Sequence, residues 1–255
     1  MHPSILFAIG FLFLKTGEKF ATQDAAGSTV SNFTAHVAGK LDGVTFEPHV
    51  LNDPAQAVEF VIAKKPAVGI VTPGFYLAYA KPLGMEALLE TRRQNVPAER
   101  FVLVTLKTAS GELQGKTIAT TLAKEERYVD AVILHGKLGD EVRLKAVTDV
   151  EGALFDLVEG AKNAADAVLV EEAAWNVIEP DDELGPKLKV AFTSDELPRD
   201  LVVLFRPNVG DLDVEKLKAT LKSVDKQVLN SIRVEAFVDV NSERLSKAEA
   251  TFYGK

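Results

Sequence analysis

Glu171 and Glu172 are adjacent carboxylates that follow directly on the apolar run Ala167–Val170. Neighbouring residues at a strand end point in opposite directions, so the two do not share one proton as an acid/base pair. Glu171 alone could accept from an amine or hydroxyl of a ligand. Trp175, four residues on, has the flat ring that stacks on ligands and that equally fills a core. Thr72-Pro73-Gly74-Phe75-Tyr76 sets two aromatics behind a turn at the end of another apolar run, as a wall for a solute would need. Thr120 and Thr121 stand at the end of a short strand that begins at Thr117, directly before a helix start. Gly10 and Phe11 stand where a first strand, Ile5–Ile9, gives way to a loop.

Other chemistries are excluded by what the chain lacks. It has no cysteine, which removes thiolate catalysis and disulfides. His2, His36, His49 and His135 stand alone, without the spacing of a metal site. No G-x-S-x-G, G-x-G-x-x-G or G-x-x-x-x-G-K occurs, and Lys15–Lys19 (KTGEK) lacks the leading glycine of a phosphate loop. No catalytic set, metal or cofactor is therefore expected. A net charge of −8 with scattered Lys and Arg argues against nucleic acid, which needs a basic face. Ile5–Leu14 is ten residues long, too short to span a bilayer, so no direct membrane insertion is expected. No Lys or Arg precedes it, so it reads as a buried strand, Ile5–Ile9, followed by a loop at Gly10, rather than as the core of a signal peptide.

The elements that must position these residues follow from periodicity. Strands are expected at Val44–Val50, Pro66–Val71, Met85–Thr91 and Arg100–Leu106, with helices to about Leu41, over Ala55–Lys64 and over Phe75–Ala80. Asn52 or Asp53 caps the second helix, Pro54 opens it, and Val58, Val61 and Ile62 form its inner face. The pattern then restarts. Thr117–Thr120 and Val142–Ala146 are strands flanking a helix Glu125–His135 with Val129, Val132 and Ile133 inward. Glu151–Gly160 is a helix with Ala153, Leu154, Leu157 and Val158 on one face and Gly160 as its C-cap. Ala167–Val170 is apolar without alternation, as a central parallel strand requires. Leu188–Phe192 and Leu201–Phe205 are strands, Leu212–Ile232 is helical, and a last helix lies at Ser242–Thr251. Alternating strands and helices of this kind indicate an α/β fold with mostly parallel sheets. Ligands bind such sheets at the strand carboxyl ends.

The order GELQGKTIA (Gly111–Ala119), a helix, a strand, DVEGALFDLVEGAKNAADAVLV (Asp149–Val170) and LKVAFTSDELPRDLVVLF (Leu188–Phe205) resembles the phosphate/phosphonate-type substrate-binding proteins of ABC transporters. The resemblance spans nearly the whole chain, and the order of segments carries it more than any one motif. It implies a two-lobed type II periplasmic-binding-protein fold, each lobe a mostly parallel sheet flanked by helices, with two hinge crossings. Lobe I would comprise residues 1–107 and 201–255, and lobe II residues 108–200. It further implies a small solute held in a cleft between lobes, a permease partner, no catalysis, and a periplasmic or other extracytoplasmic location, with any export signal outside this stretch and a cytoplasmic location left open. Gly10, Phe11, Thr72, Phe75, Tyr76, Thr120, Thr121, Glu171 and Trp175 would face the solute.

One turn departs from the family pattern. Thr120–Arg127 (TTLAKEER) keeps two threonines, lacks the glycine, and opens its helix with two glutamates. Acids there suit the helix dipole but repel a phosphoryl group. A cationic or neutral polar solute, or none, fits that turn better than an anion. Two further classes stay open at this point: a regulatory or interaction module whose cleft has lost its ligand, and an enzyme on the same scaffold.

Overall fold

The computed structural model describes residues 7–16, 23–93, 98–110, 112–139 and 141–254. The elements are, in order, β1 (Phe7–Leu14), α1 (Gln23–Ala38), β2 (Val44–Leu51), α2 (Pro54–Lys64), β3 (Val68–Val71), α3 (Pro73–Leu83), β4 (Met85–Arg92), β5 (Phe101–Leu106), β6 (Thr117–Thr120) and β7 (Arg143–Ala146). They continue with α4 (Val150–Glu159), β8 (Ala167–Glu171), α5 (Glu172–Ile178), β9 (Leu188–Thr193), β10 (Leu201–Phe205), α6 (Val214–Lys222), α7 (Lys226–Ser231), β11 (Ala236–Val238) and α8 (Ser242–Tyr253).

The chain divides into two compact units, Met1–Pro97 with Pro198–Ser242, and Ala98–Leu197 with Glu243–Lys255. The divisions fall at other positions than the sequence indicates, for two reasons. Strand β5 hydrogen-bonds to β8 and β9, which places it in unit 2 rather than lobe I. Helix α8 buries Leu245, Ala248 and Phe252, and the Arg127 guanidinium of unit 2 lies 4.6 Å from the Phe252 ring centre. The chain therefore passes between units at three places rather than two.

In unit 1 the strand order is β11-β4-β10-β3-β1-β2. Strands β1, β2 and β3 are mutually parallel, while β10 runs antiparallel to both its neighbours. Unit 2 is ordered β7-β6-β8-β5-β9. There β6, β7 and β8 are parallel and β5 is the antiparallel insert. The two units thus share one plan, although no repeat is visible in the sequence.

Strand β1 runs on through the glycine expected to end it. Phe11, Leu12, Phe13 and Leu14 are all buried, as a strand covered on both faces requires. Phe11 packs edge-on against Phe33 of α1 and Phe46 of β2, at 6.1 and 5.6 Å between ring centres. Gly10 is a close-approach residue: a Cβ there would lie 3.0 Å from the Pro66 Cα. Its carbonyl accepts from the Ala67 N–H at 3.1 Å. Gly10 and Phe11 are consequently mid-strand, and β1 delivers Lys15 and Thr16, not Gly10, to the carboxyl edge. The expected start at Ile5 lies outside the described residues.

Capping is where the sequence reads well. The Asp53 carboxylate accepts from the N–H groups of Ala55 and Gln56, with Pro54 opening α2. The face of α2 is rotated, however: Ala57 and Val61 are buried while Ile62 is 64% exposed. In α4 the Asp149 carboxylate accepts from Gly152 N–H, and Gly160 at φ +64° closes the C-terminus. Replacing Asp149 by Ala should destabilise unit 2 by about 1 kcal/mol, read by denaturant unfolding followed at the sole tryptophan; no change would mean that the cap is dispensable.

Two expected helices take other forms. Over 123–135 the chain makes a 3-10 turn, Ala123–Glu125, and then a π-helix, Tyr128–Ile133. Its wider turn, closed by Leu134 N–H to the Val129 carbonyl at 2.9 Å, brings Tyr128, Val129, Val132, Ile133 and Leu134 all inside. The stretch Leu212–Ile232 breaks at Ser223–Asp225, where Asp225 caps α7. The break keeps Leu217, Leu221, Val224 and Leu229 on one core, which a single straight helix would not. Strand β11 is too short to signal itself; its Phe237 is buried beside Phe33.

Candidate functional site

Polar groups collect at the carboxyl edge of each sheet, and each edge is built by its own unit. In unit 1, Lys15 follows β1 directly, and its N–H still pairs with the Leu51 carbonyl. The Lys15 ammonium reaches past β3 and donates to the Asp200 carboxylate at the head of β10. The Arg93 guanidinium lies 3.6 Å from the same oxygen. Lys15 and Asp200 side chains are only 8% and 12% exposed. Burial alone would push the Asp200 carboxyl up. The charges of Lys15 and Arg93, the Lys15 hydrogen bond and the charge of Arg199 outweigh it and hold the group below the usual carboxylate range. The buried Glu90 carboxylate accepts from the backbone N–H groups of Arg199 at 2.9 Å and Asn241 at 3.3 Å.

Thr72 is spent on capping: its hydroxyl accepts from Phe75 N–H at 3.3 Å. Phe75 and Tyr76 are 1% and 8% exposed, and Phe75 packs on Tyr79 at 5.0 Å between ring centres. They sit at the strand end as the sequence indicates, but as packed rings.

In unit 2, Thr120 is fully buried, and its hydroxyl accepts from Leu122 N–H at 3.2 Å. Thr121 is half-buried. Glu125 is buried within the 3-10 turn, whereas Glu126 is exposed. Glu171 is half-buried at the junction of β8 and α5, where Glu172 N–H donates to the Arg100 carbonyl at 2.8 Å. Trp175 is 3% exposed and belongs to the hydrophobic core with Leu154, Val168, Val170 and Leu184. Its ring is a core element of unit 2.

A second polar group in unit 2 surrounds Asp195. It accepts from Lys247 of α8 at 2.9 Å and lies 3.5 Å from His135. The Lys247 hydrogen bond is the largest influence on its carboxyl and keeps it below the ordinary value. A groove of about 480 Å³ opens there, lined by Asp130, Ala131, His135, Gly136, Asp195 and Thr251. Among the described residues no cluster of three or more His, Asp or Glu could hold a metal ion. No helix among them is long and apolar enough to cross a membrane.

Lys15, Arg93 and Asp200 were not singled out by sequence. A signal was present: a lysine directly after an apolar run, and an Arg-Asp pair directly before another, have to be buried at the strand ends. Reading that signal requires knowing that β10 lies two strands from β1.

Two α/β units with one strand order, an antiparallel insert in each, and polar groups at the carboxyl edges define a two-lobed solute-binding architecture. Residues 20–245 match the family model of the ABC transporter, phosphonate, periplasmic substrate-binding protein, and the chain belongs to that family. It is a family of transporter binding proteins, not of enzymes, and its periplasmic placement implies an extracytoplasmic location. The fold is shared with a Xanthomonas citri protein solved bound to ATP, at 12% identity, TM-score 0.68 and 97% coverage of both chains. A binding protein component of an ABC phosphonate transporter from Pseudomonas aeruginosa aligns at 14% identity and TM-score 0.66, over 96% of this chain and 86% of that one. PhnD1 from Prochlorococcus marinus, solved with methylphosphonate, aligns at 13% identity and TM-score 0.62, over 97% of both chains. No curated protein matches the sequence.

Proposed function

We propose that the protein captures a small polar solute of phosphonate type at the strand carboxyl edges of its units and delivers it to an ABC permease, without converting it. Family membership over residues 20–245 is the observation that carries this reading. Lys15 and Arg93 at the edge of unit 1, and Thr121 and Glu171 at the edge of unit 2, support it, each unit taken by itself. Methylphosphonate is the first probe, since a relative of the same fold was solved with it.

A ligand that binds only the folded state raises its stability, by about 2.7 kcal/mol at one hundred times Kd. A thermal-shift series with methylphosphonate, inorganic phosphate and small amines should therefore give at least one saturable rise in melting temperature. A flat response across the series would remove the solute-binding reading. If the responsive solute carries an amine, Glu171→Ala should weaken its binding about tenfold, the effect of losing one charge-assisted hydrogen bond. An unchanged Kd would take Glu171 out of the site.

One observation favours a second reading, an interaction module without a solute. The Leu122 N–H is already donated to the Thr120 hydroxyl, and no glycine opens the following turn, so that backbone donor of unit 2 is withheld from an oxyanion. A stable protein partner retained in pull-downs, together with no small-molecule response, would select it.

A further inference from the structure

The second and third crossings of the chain are each held by a carboxylate, one in either unit. In unit 1 the Glu90 side chain, 2% exposed, divides its oxygens between the two: Oε1 accepts from Arg199 N–H at 2.9 Å and Oε2 from Asn241 N–H at 3.3 Å. Arg199 and Asn241 each stand next to the residue at which the chain changes unit. In unit 2 the second crossing is pinned through backbone. Leu197 and Glu99 exchange N–H···O bonds of 2.8 and 3.1 Å, and Ser194 donates to the Phe101 carbonyl while its hydroxyl accepts from Phe101 N–H. Only Pro198 then separates Leu197 from Arg199, and its ring fixes φ. The third crossing is held differently. Its helix α8 reaches Asp195 through Lys247 at 2.9 Å, and these side chains are 45% and 64% exposed. Between Asn241 and Lys247 lies the first turn of α8, residues 242–246, of which only Leu245 is buried. Further along, the Phe252 carbonyl accepts from Arg127 at 3.0 Å.

The two carboxylates differ in strength. An exposed ion pair moves an equilibrium by about fivefold at most, whereas charge-assisted bonds to a buried carboxylate are roughly twice as strong as neutral ones. The Glu90 clasp is therefore permanent, and the Asp195 clasp can open while its unit stays folded. We propose that the Asp195–Lys247 pair is a releasable clasp on the third crossing, and that Asp195 is a positioning residue for solute capture. Closed, the clasp fixes the first turn of α8 against the segment that carries the second crossing, so both leave unit 2 from one ordered point. Released, α8 keeps its apolar contacts and its first turn frays. A chain already ordered loses less conformational entropy when a solute binds and orders the crossings. The clasp thus tightens capture, and salt, which screens an exposed pair, loosens it. This rests on the solute-binding reading and deepens it, adding a control by ionic strength through residues outside those proposed to hold the solute.

The test reads α8 first and the solute second. Hydrogen exchange is followed without solute at the amides of residues 246–248, whose helical acceptors are carbonyls of the first turn. Asp195→Asn and Lys247→Met should each speed it about two- to fivefold, the ratio an exposed pair supports. Amides of β4 and β5 should exchange as in the wild type. His135, 3.5 Å from the same Asp195 oxygen, and the charge of Arg100 also act on Asp195, so the double variant is needed. It should exchange no faster than either single one, because one shared pair is lost only once. Lys247→Arg, which keeps the charge, should behave as the wild type does. Titration calorimetry with methylphosphonate, inorganic phosphate and ethanolamine should then show the binding solute held about two- to fivefold more weakly by each single variant. Raising salt from about 0.01 to about 1 M, which shortens the Debye length from about 30 to about 3 Å, should weaken the wild type by that factor beyond its effect on Lys247→Met. Unchanged exchange in both single variants would overturn the clasp, whether or not a solute binds. Faster exchange with unchanged affinity would make the pair a local feature of α8 and overturn its role in capture. No binding of any probe by the wild type would overturn both that role and the solute-binding reading.

Discussion

Lys15→Met lowers the stability of unit 1 by about 3 kcal/mol, the lower end of what removing one partner of a buried pair costs. Asp200 keeps Arg93 at 3.6 Å, but loses the ammonium that donates to it directly. What remains among the described residues is a largely buried carboxylate 3.6 Å from Arg93, with the charge of Arg199 nearby. The double variant Lys15→Met/Asp200→Leu should recover most of the loss, since an apolar pair of similar volume replaces both charges at once. Arg93 can then turn to solvent, its side chain already being 25% exposed. Denaturant unfolding of the wild type, the single and the double variant checks this; a double variant no more stable than the single one would show that packing, not charge, is responsible.

The same pair has a pH signature. The folded-state carboxyl of Asp200 is held below its ordinary value, so the native state binds this proton less readily than the unfolded chain does. Its stabilisation is fully present above the unfolded value of about 3.9 and is lost as pH falls from there through the depressed native value. Wild type and the double variant should therefore lie close together near neutrality and separate under acid conditions, where only the wild type loses this contribution. A stability difference that stays constant down to the acid limit would contradict the ion-pair account.

Trp175→Ala costs unit 2 about 3–5 kcal/mol, the range for removing a large buried aromatic. Trp175 is 3% exposed, against side chains from α4 and β8 and against Leu184. The void left behind would be lined by elements that are themselves fixed in the sheet, so little collapse is available to offset it. Trp175→Phe should lose much less and should bind solute as the wild type does. A Trp175→Phe variant of normal stability but greatly weakened solute binding would return the ring to the site. Since the chain has one tryptophan, the Phe variant is followed by circular dichroism rather than by fluorescence.

Apolar periodicity and end signals made most elements legible. Asp53-Pro54 and Gly160 fixed helix ends to within a residue or two, because a side-chain cap such as Asp53 is a local interaction with backbone groups two or three positions away. Thr117–Thr120 and Leu201–Phe205 were readable for a similar reason: short, wholly apolar or threonine-rich strands bounded by turn residues. The rotated face of α2 and the broken stretch Leu212–Ile232 were not. Which side of a helix is buried depends on the element laid against it, and that element is distant in sequence.

By itself, then, the sequence determined an α/β chain of two strand-helix sets, the family to which it belongs, and strand-end positions such as Thr121 and Glu171. Only the tertiary structure decided what those ends contain. It ran β1 through Gly10 because the Pro66 backbone needs that close approach, and so moved the edge from Phe11 to Lys15. It turned Trp175 into core. It also inserted β10 between β3 and β4, antiparallel, which sets Asp200 within reach of Lys15, 185 residues away in sequence. The physical reason is one of range. Caps and periodicity act over a few residues, whereas a buried ion pair exists only once strand order has brought its two charges together.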